Sequence, residues 1–138
     1  MTNPDVAAIL ERIGDLLEIK GENKFKIIAY RRAAETIREY NREVAAVHTE
    51  GGLRAIPNIG AAIADKIDEL LTTGKLDFYE RLKAKIPAGL IEVMAVPDLG
   101  PKKAALFWQQ LDITSVAALE AAARAGRLRS LPGMGEKS

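Results

Sequence analysis

Three short stretches of the sequence have the residue types with which a chain presents main-chain N–H groups to a phosphate. They share the pattern apolar-Pro-x-apolar-Gly and are IPNIG at residues 56–60, VPDLG at 96–100 and LPGMG at 131–135. Proline fixes φ and starts a turn, and the residue after it is Asn, Asp or Gly, the types that best tolerate a left-handed backbone. The closing glycine lets amides at the start of the next helix approach an anion, which the helix dipole favours. The pattern therefore predicts three phosphate-binding hairpins.

The apolar residues around these hairpins repeat as well. They are Leu53, Ile56 and Ile59 in the first copy, Val93, Val96 and Leu99 in the second, and Leu128, Leu131 and Met134 in the third. The repeated apolar residues favour a functional element that occurs three times. The alternative is that the hairpins only pack helices together. The residues predicted to contact phosphate at the hairpins are Asn58, Gly60, Ala61, Asp98, Gly100, Lys102, Lys103, Gly133 and Gly135.

The elements that position the hairpins are predicted to be helices, because no stretch alternates apolar and polar residues as a strand does. Asn3 and Asp77 are predicted as helix N-caps, and Gly21 and Gly74 as helix ends. The first helix is expected to bury one face, formed by Val6, Ile9, Leu10, Ile13, Leu16 and Leu17.

The predicted fold is all-α, with two small helical subdomains that meet near Pro87. The first covers residues 1–86 and the second residues 87–138, and each is built on a helix-hairpin-helix motif. The third hairpin stops at Glu136, where its second helix should begin. We therefore expect either a piece of a longer polypeptide or disordered last residues, because so short a helix cannot bury an apolar face.

Composition limits the classes of function. The 138 residues carry a net charge of +1, no cysteine and a single histidine, His48, which excludes disulfides and thiolate metal sites and argues against a histidine zinc site. No apolar run approaches the roughly 18 residues of a membrane span, and there is no signal-peptide core. We expect a monomeric, cytoplasmic, nucleoid-associated protein without a membrane partner. Two acid-free basic clusters, within residues 24–32 and 121–135, favour phosphate contacts beside the hairpins.

Three segments together resemble the amino-terminal region of the family X DNA polymerases, the group that contains DNA polymerase beta, and above all its bacterial and archaeal members. They are AYRRAA at 29–34, IPNIGAAIADKIDELLTTGKL at 56–76 and VPDLGPKKAALF at 96–107. The resemblance covers almost the whole chain. It implies a small helical domain on the 5′-phosphate side of a DNA gap, followed by a second helix-hairpin-helix subdomain that grips the duplex. The implied partners are DNA and the remainder of a polymerase chain.

The resemblance also implies what the hairpins hold and what the chain lacks. In the family both hairpins are often seen with a monovalent cation, Na⁺ or K⁺, on backbone carbonyls; no other cofactor is expected. The corresponding carbonyls belong to Arg54, Ile56, Ile59, Met94, Val96 and Leu99. The family's nucleotidyl-transfer site lies in a later domain with clustered aspartates. Because Asp65 and Asp68 fit an ordinary charged helix face, this chain is not expected to polymerise DNA.

Lys66 is the candidate catalytic residue that the resemblance supplies. In several family members the amino-terminal domain removes a 5′-deoxyribose phosphate through a Schiff base, and the nucleophilic lysine lies six residues after the first closing glycine, the position of Lys66 here. The chemistry needs an uncharged amine, a base for the sugar C2′ proton and a cationic rim for the phosphate. Lys26 and Tyr30 match rim and pocket positions of the family, and Arg31 is expected to add charge.

Three departures weaken this match. Ala62 stands where the vertebrate enzyme has a basic residue, Phe78 replaces a further pocket lysine, and Phe25 replaces a phosphate-binding histidine. Fewer cations predict a weaker phosphate rim. Three hypotheses therefore stay open: a sequence-independent DNA-binding module, a lyase on 5′-deoxyribose-phosphate or abasic ends, and a helix-hairpin-helix scaffold for protein partners.

Overall fold

The structure of the protein, a computed structural model, describes residues 1–97 and 99–130, and in these ranges it is all-α as predicted, without a strand. The residues in these ranges form eight α-helices, α1 to α8, and two short 3₁₀ turns. In chain order they are α1 (Asn3–Lys20), α2 (Lys24–Glu39), α3 (Val44–Thr49), the turn Leu53–Ala55, α4 (Ala61–Thr73), α5 (Asp77–Ala84), α6 (Ala88–Met94), α7 (Gly100–Leu111), α8 (Val116–Arg124) and the turn Arg127–Ser130.

Helix α1 is the centre of the molecule, because it packs against α2, α5 and α7. Five of the six predicted apolar positions are buried, while Ile9 is half-buried. The helix also buries Ala7, Gly14 and Ile19, so more than one face is covered. Through α7 the first helix reaches into the second predicted subdomain, and the buried residues of both halves form one continuous core. The boundary at Pro87 stays a prediction.

The prediction that Asn3 caps α1 is wrong, because Thr2 takes that position. The Thr2 hydroxyl accepts from the Asp5 N–H, and the Asp5 carboxylate accepts from the Thr2 N–H at 2.9 Å, which together form a capping box. The hydrogen bond from the Thr2 N–H to this carboxylate lowers the pKa of Asp5, and a second one from the Thr2 hydroxyl acts in the same direction. Asn3 is instead buried, and its side chain fixes the chain before α3. Its Nδ2 donates to the Arg42 carbonyl and its Oδ1 accepts from the Val44 N–H, both at 2.7 Å.

The other helix ends follow the sequence signals with one exception. Gly21 and Gly74 end their helices with φ of 76° and 77°, as predicted. Asp77, however, is the first residue of α5 and not its cap. Its N–H donates to a side-chain oxygen of Glu69 at 2.7 Å. A residue of α4 therefore accepts one of the N–H groups that have no partner within α5.

The second half packs closely around α6 and α7. Phe107 is fully buried, and its neighbour Trp108 is half-buried against the same core. A Cβ at Gly89 would lie 2.2 Å from the carbonyl oxygen of Thr114. Helix α6 therefore approaches the segment before α8 backbone to backbone, which only glycine permits.

We expect Asn3→Ala to destabilise the fold by about 2–4 kcal/mol, because it leaves the Val44 N–H and the Arg42 carbonyl without their partner. Urea denaturation followed by circular dichroism measures the change. Asn41→Ala, an exposed position in the same connection, is the control and should stay within about 0.5 kcal/mol of the wild type. Equal midpoints for the two variants would contradict the role of Asn3.

Candidate functional site

The first hairpin is held by its apolar residues and by two backbone hydrogen bonds between residues three positions apart. Leu53, Ile56 and Ile59 are buried, and the Ile56 and Ile59 N–H groups donate to the carbonyls of Leu53 and Ile56, each at 3.2 Å. Asn58 takes the predicted left-handed conformation, with φ of 66°, and its Nδ2 donates to the Thr36 hydroxyl at 3.0 Å. The core thus fixes the turn, and its tip faces solvent.

The main-chain N–H groups that follow the turn are free. Within the described residues, those of Gly60, Ala61 and Ala62 donate to no acceptor, and no side chain caps α4. All three residues are exposed. Gly60 has an ordinary φ of −83°, and a Cβ added there would meet nothing within 4 Å. The backbone conformation and the packing at this position would both accept a larger residue. A ligand that approaches the backbone closely would require the missing side chain of glycine.

The second hairpin repeats the same hydrogen bonds. The Val96 and Leu99 N–H groups donate to the carbonyls of Val93 and Val96, each at 3.1 Å. Gly100 differs from Gly60, because it is the first residue of α7 and has φ of 72°. The predicted contact residues Asp98, Gly133 and Gly135 lie outside the described residues. Of the third copy's framing residues, Leu128 is described, and it is buried.

An open groove of about 1030 Å³ lies beside the first hairpin, between the end of α1 and helices α2, α4 and α5. Lys66 extends into this groove from α4 and is half-buried. Its Nζ lies 4.7 Å from the ring centroid of Phe78, and this ring stacks on Tyr30 with centroids 6.1 Å apart and planes 7° apart. Burial raises the pKa of Tyr30 to about 12. Its hydroxyl, which is protonated at neutral pH even at the usual tyrosine pKa, can donate a hydrogen bond.

Comparison with known proteins agrees with this geometry. A family model described as a helix-hairpin-helix domain matches residues 1–76, which is more than half of the chain. The chain belongs to the helix-hairpin-helix domain family. A second model, a SAM-like helix-hairpin-helix tandem, matches residues 90–138 of this helix-hairpin-helix protein.

One similar protein bears out the predicted resemblance to the family X polymerases. The chain is 30% identical over all 138 residues to the DNA polymerase/3'-5' exonuclease PolX of Bacillus subtilis (strain 168), in its amino-terminal region. The chain spans 24% of the length of that relative. Within the described residues of the helix-hairpin-helix protein, no helix is both long and apolar enough to cross a bilayer.

Several cationic side chains line the groove, and some of them have no carboxylate partner among the described residues. Lys26, Lys66 and Lys85 line the groove and form no ion pair there. The other two groove cations are engaged: Lys20 lies 3.5 Å from Glu22, and Arg81 pairs with Asp77. Lys85 was not identified from the sequence. It follows directly after α5, and its helical spacing from Phe78 and Arg81 places the three residues toward one side of that helix.

Arg31 lies elsewhere. It binds two carboxylates of α1, Asp15 at 3.1 Å and Glu18 at 2.7 Å, and its Cγ packs over Gly14. Burial raises the pKa of Asp15 and outweighs the opposing hydrogen bond from Arg31. Arg31 looked free of acidic partners because its carboxylates come from the preceding helix. These two ion pairs reduce the positive charge that Arg31 can offer to DNA, and its DNA contact stays a prediction.

The other charged residues considered from the sequence lie on α7, α8 and α4. Lys102 is exposed and Lys103 half-buried in the first turns of α7. Arg124 lies 3.9 Å from Glu120, one turn earlier on α8. Asp68 pairs with His48 and so joins α4 to α3. The described residues contain no group of three or more acidic or histidine side chains that could hold a metal ion.

Proposed function

We propose that this chain binds DNA through its phosphates and without regard to sequence, as the amino-terminal part of a family X DNA polymerase. The observation that carries the proposal is the set of unbonded N–H groups at Gly60, Ala61 and Ala62, on the positive end of the 13-residue helix α4. Contacts of this kind fix a protein on the phosphate backbone and carry no base information. Gapped or nicked repair intermediates suit the arrangement, because the groove with its free lysines lies beside the hairpin and can receive a strand end.

The hairpin carbonyls fit the monovalent cation that the resemblance implies. In the described residues, the Arg54 and Ile59 carbonyls accept no hydrogen bond, and the Ile56 carbonyl accepts one and keeps a second lone pair. These oxygens would hold Na⁺ or K⁺, and such a cation would add positive charge for a phosphate next to the amides. Met94, Val96 and Leu99 are the corresponding carbonyls of the second hairpin.

We further propose that Lys66 acts as a Schiff-base nucleophile on a 5′-deoxyribose phosphate. Its amine would form a C=N bond with sugar C1′, with loss of water. Transfer of the C2′ proton to a base would then break the C3′–O bond, and the departing phosphate would stay on the DNA as its new 5′ end. Hydrolysis of the imine would return the free amine. The half-buried position of Lys66 in a groove with free Lys26 and protonated Tyr30 supports this role.

We expect Gly60→Ala to weaken binding to gapped DNA about tenfold, because a methyl group there meets nothing in the protein and stands where a phosphate would approach the amides. Fluorescence anisotropy measures the affinity. The thermal midpoint serves as the control and should fall by no more than a few degrees, since alanine adopts this φ without strain but is a weaker N-cap than glycine. Undiminished affinity in Gly60→Ala would remove the first hairpin from the DNA interface.

We expect borohydride to trap a covalent complex between the wild-type chain and gapped DNA that carries a 5′-deoxyribose phosphate, and Lys66→Ala to abolish it. Denaturing gel electrophoresis detects the crosslink. Lys83→Ala is the matched control, because Lys83 also lies over an aromatic ring, Tyr79, at 4.4 Å but does not line the groove. A crosslink that persists in Lys66→Ala, or none in the wild type, contradicts the proposed lyase.

A further inference from the structure

Phe78 covers the Lys66 amine from the α5 side of the groove. The ammonium nitrogen lies 4.7 Å from the ring centroid, within the distance at which a cation is attracted to an aromatic face. Tyr30 is buried and stacks on Phe78 almost in parallel, so the ring is supported by a second ring. The start of α5 is also tied to α4, because Glu69 accepts the Asp77 N–H. The hydrogen bond to Glu69 and the stacking on Tyr30 therefore fix the position of Phe78 beside Lys66.

We propose that Phe78 is a positioning residue for Schiff-base chemistry at Lys66, with its ring face holding the lysine nitrogen while that nitrogen is cationic. This inference rests on the proposed lyase function. The nucleophile is the uncharged amine, so the contact with the ammonium shows where the nitrogen lies and does not itself favour attack. The nitrogen is a cation again in the iminium that forms once the amine has joined sugar C1′ and water has left. An aromatic face attracts this iminium, whereas an amine or guanidinium at residue 78 would repel it.

The ring also changes what the groove offers to the substrate. Phe78 is 37% exposed, so one part of its surface contacts solvent in the groove while the rest is covered. It provides no hydrogen-bond donor and does not bind the phosphate. That task falls to the free lysines, Lys26 and Lys85, which line the same groove. In this proposal Phe78 positions the lysine nitrogen that reacts with the aldehyde carbon of the substrate, and the lysines bind its phosphate.

A second lysine and ring in the same helix supply a comparison. Lys83 lies 4.4 Å from the Tyr79 centroid and also 3.2 Å from a carboxylate oxygen of Glu80, and neither Lys83 nor Tyr79 lines the groove. The contact between a cation and a ring is thus similar in both places, but only Lys66 has access to a cavity in which a sugar could react. Tyr79→Leu is therefore the matched control for Phe78→Leu.

The test compares single-turnover borohydride trapping in wild type, Phe78→Leu, Phe78→Tyr and Tyr79→Leu, all on the same gapped DNA with a 5′-deoxyribose phosphate. We expect Phe78→Leu to lower the trapping rate about two- to fivefold, the range that corresponds to the loss of a cation–π contact at a partly exposed ring. Phe78→Tyr should restore the rate, because it keeps the ring, and Tyr79→Leu should leave it unchanged. The dissociation constant for DNA should be the same in all four proteins.

The possible failures are distinguishable. No trapping by the wild type contradicts the lyase function itself. Trapping that is equally fast in wild type and Phe78→Leu contradicts only the role of Phe78. A parallel loss of trapping, DNA affinity and thermal midpoint in Phe78→Leu would show a merely structural side chain, and so would a loss that Phe78→Tyr fails to restore.

Discussion

The burial of Leu53, Ile56 and Ile59 is the interaction on which the first hairpin depends. These side chains are held in the core, so the turn between them is fixed by packing and by two backbone hydrogen bonds. The amides beyond the turn therefore have no structural task. In the free protein, water can satisfy exposed N–H groups, so leaving them unbonded costs little. A phosphate can replace that water and gain both hydrogen bonds and the favourable end of the helix dipole.

The same helix connects phosphate binding to the proposed chemistry. Helix α4 begins with the free amides and carries Lys66 six residues after Gly60. A strand end bound at the hairpin would thus lie near the groove into which Lys66 extends. The ion pairs around this groove determine which of its cations could contact a phosphate. Lys20 and Arg81 are engaged by carboxylates, which leaves Lys26, Lys66 and Lys85 as the groove cations that form no ion pair within the described residues.

Local signals in the sequence were sufficient for the helices and the hairpins. Helical spacing, the glycine ends at Gly21 and Gly74, and the left-handed Asn58 depend on residues close in the chain, and all are confirmed. Local patterns were insufficient where the hydrogen-bond partners of a side chain are distant in sequence. Asn3 is a good cap by type, but Thr2 with Asp5 forms the capping box, and the loop before α3 uses the Asn3 side chain. Arg31 lies in a basic run, yet its partners are thirteen and sixteen residues earlier in α1.

The amides of Gly60, Ala61 and Ala62, which donate to no acceptor within the described residues, are the groups proposed to receive a DNA phosphate. The decisive measurement is an ¹H–¹⁵N correlation spectrum, recorded as duplex DNA with a single-nucleotide gap and a 5′-phosphate is added. We expect the largest shifts at Gly60, Ala61 and Ala62 and much smaller ones at Ile56 and Ile59, whose amides are already bonded within the hairpin. Saturable binding that leaves the first three resonances in place would contradict the proposal.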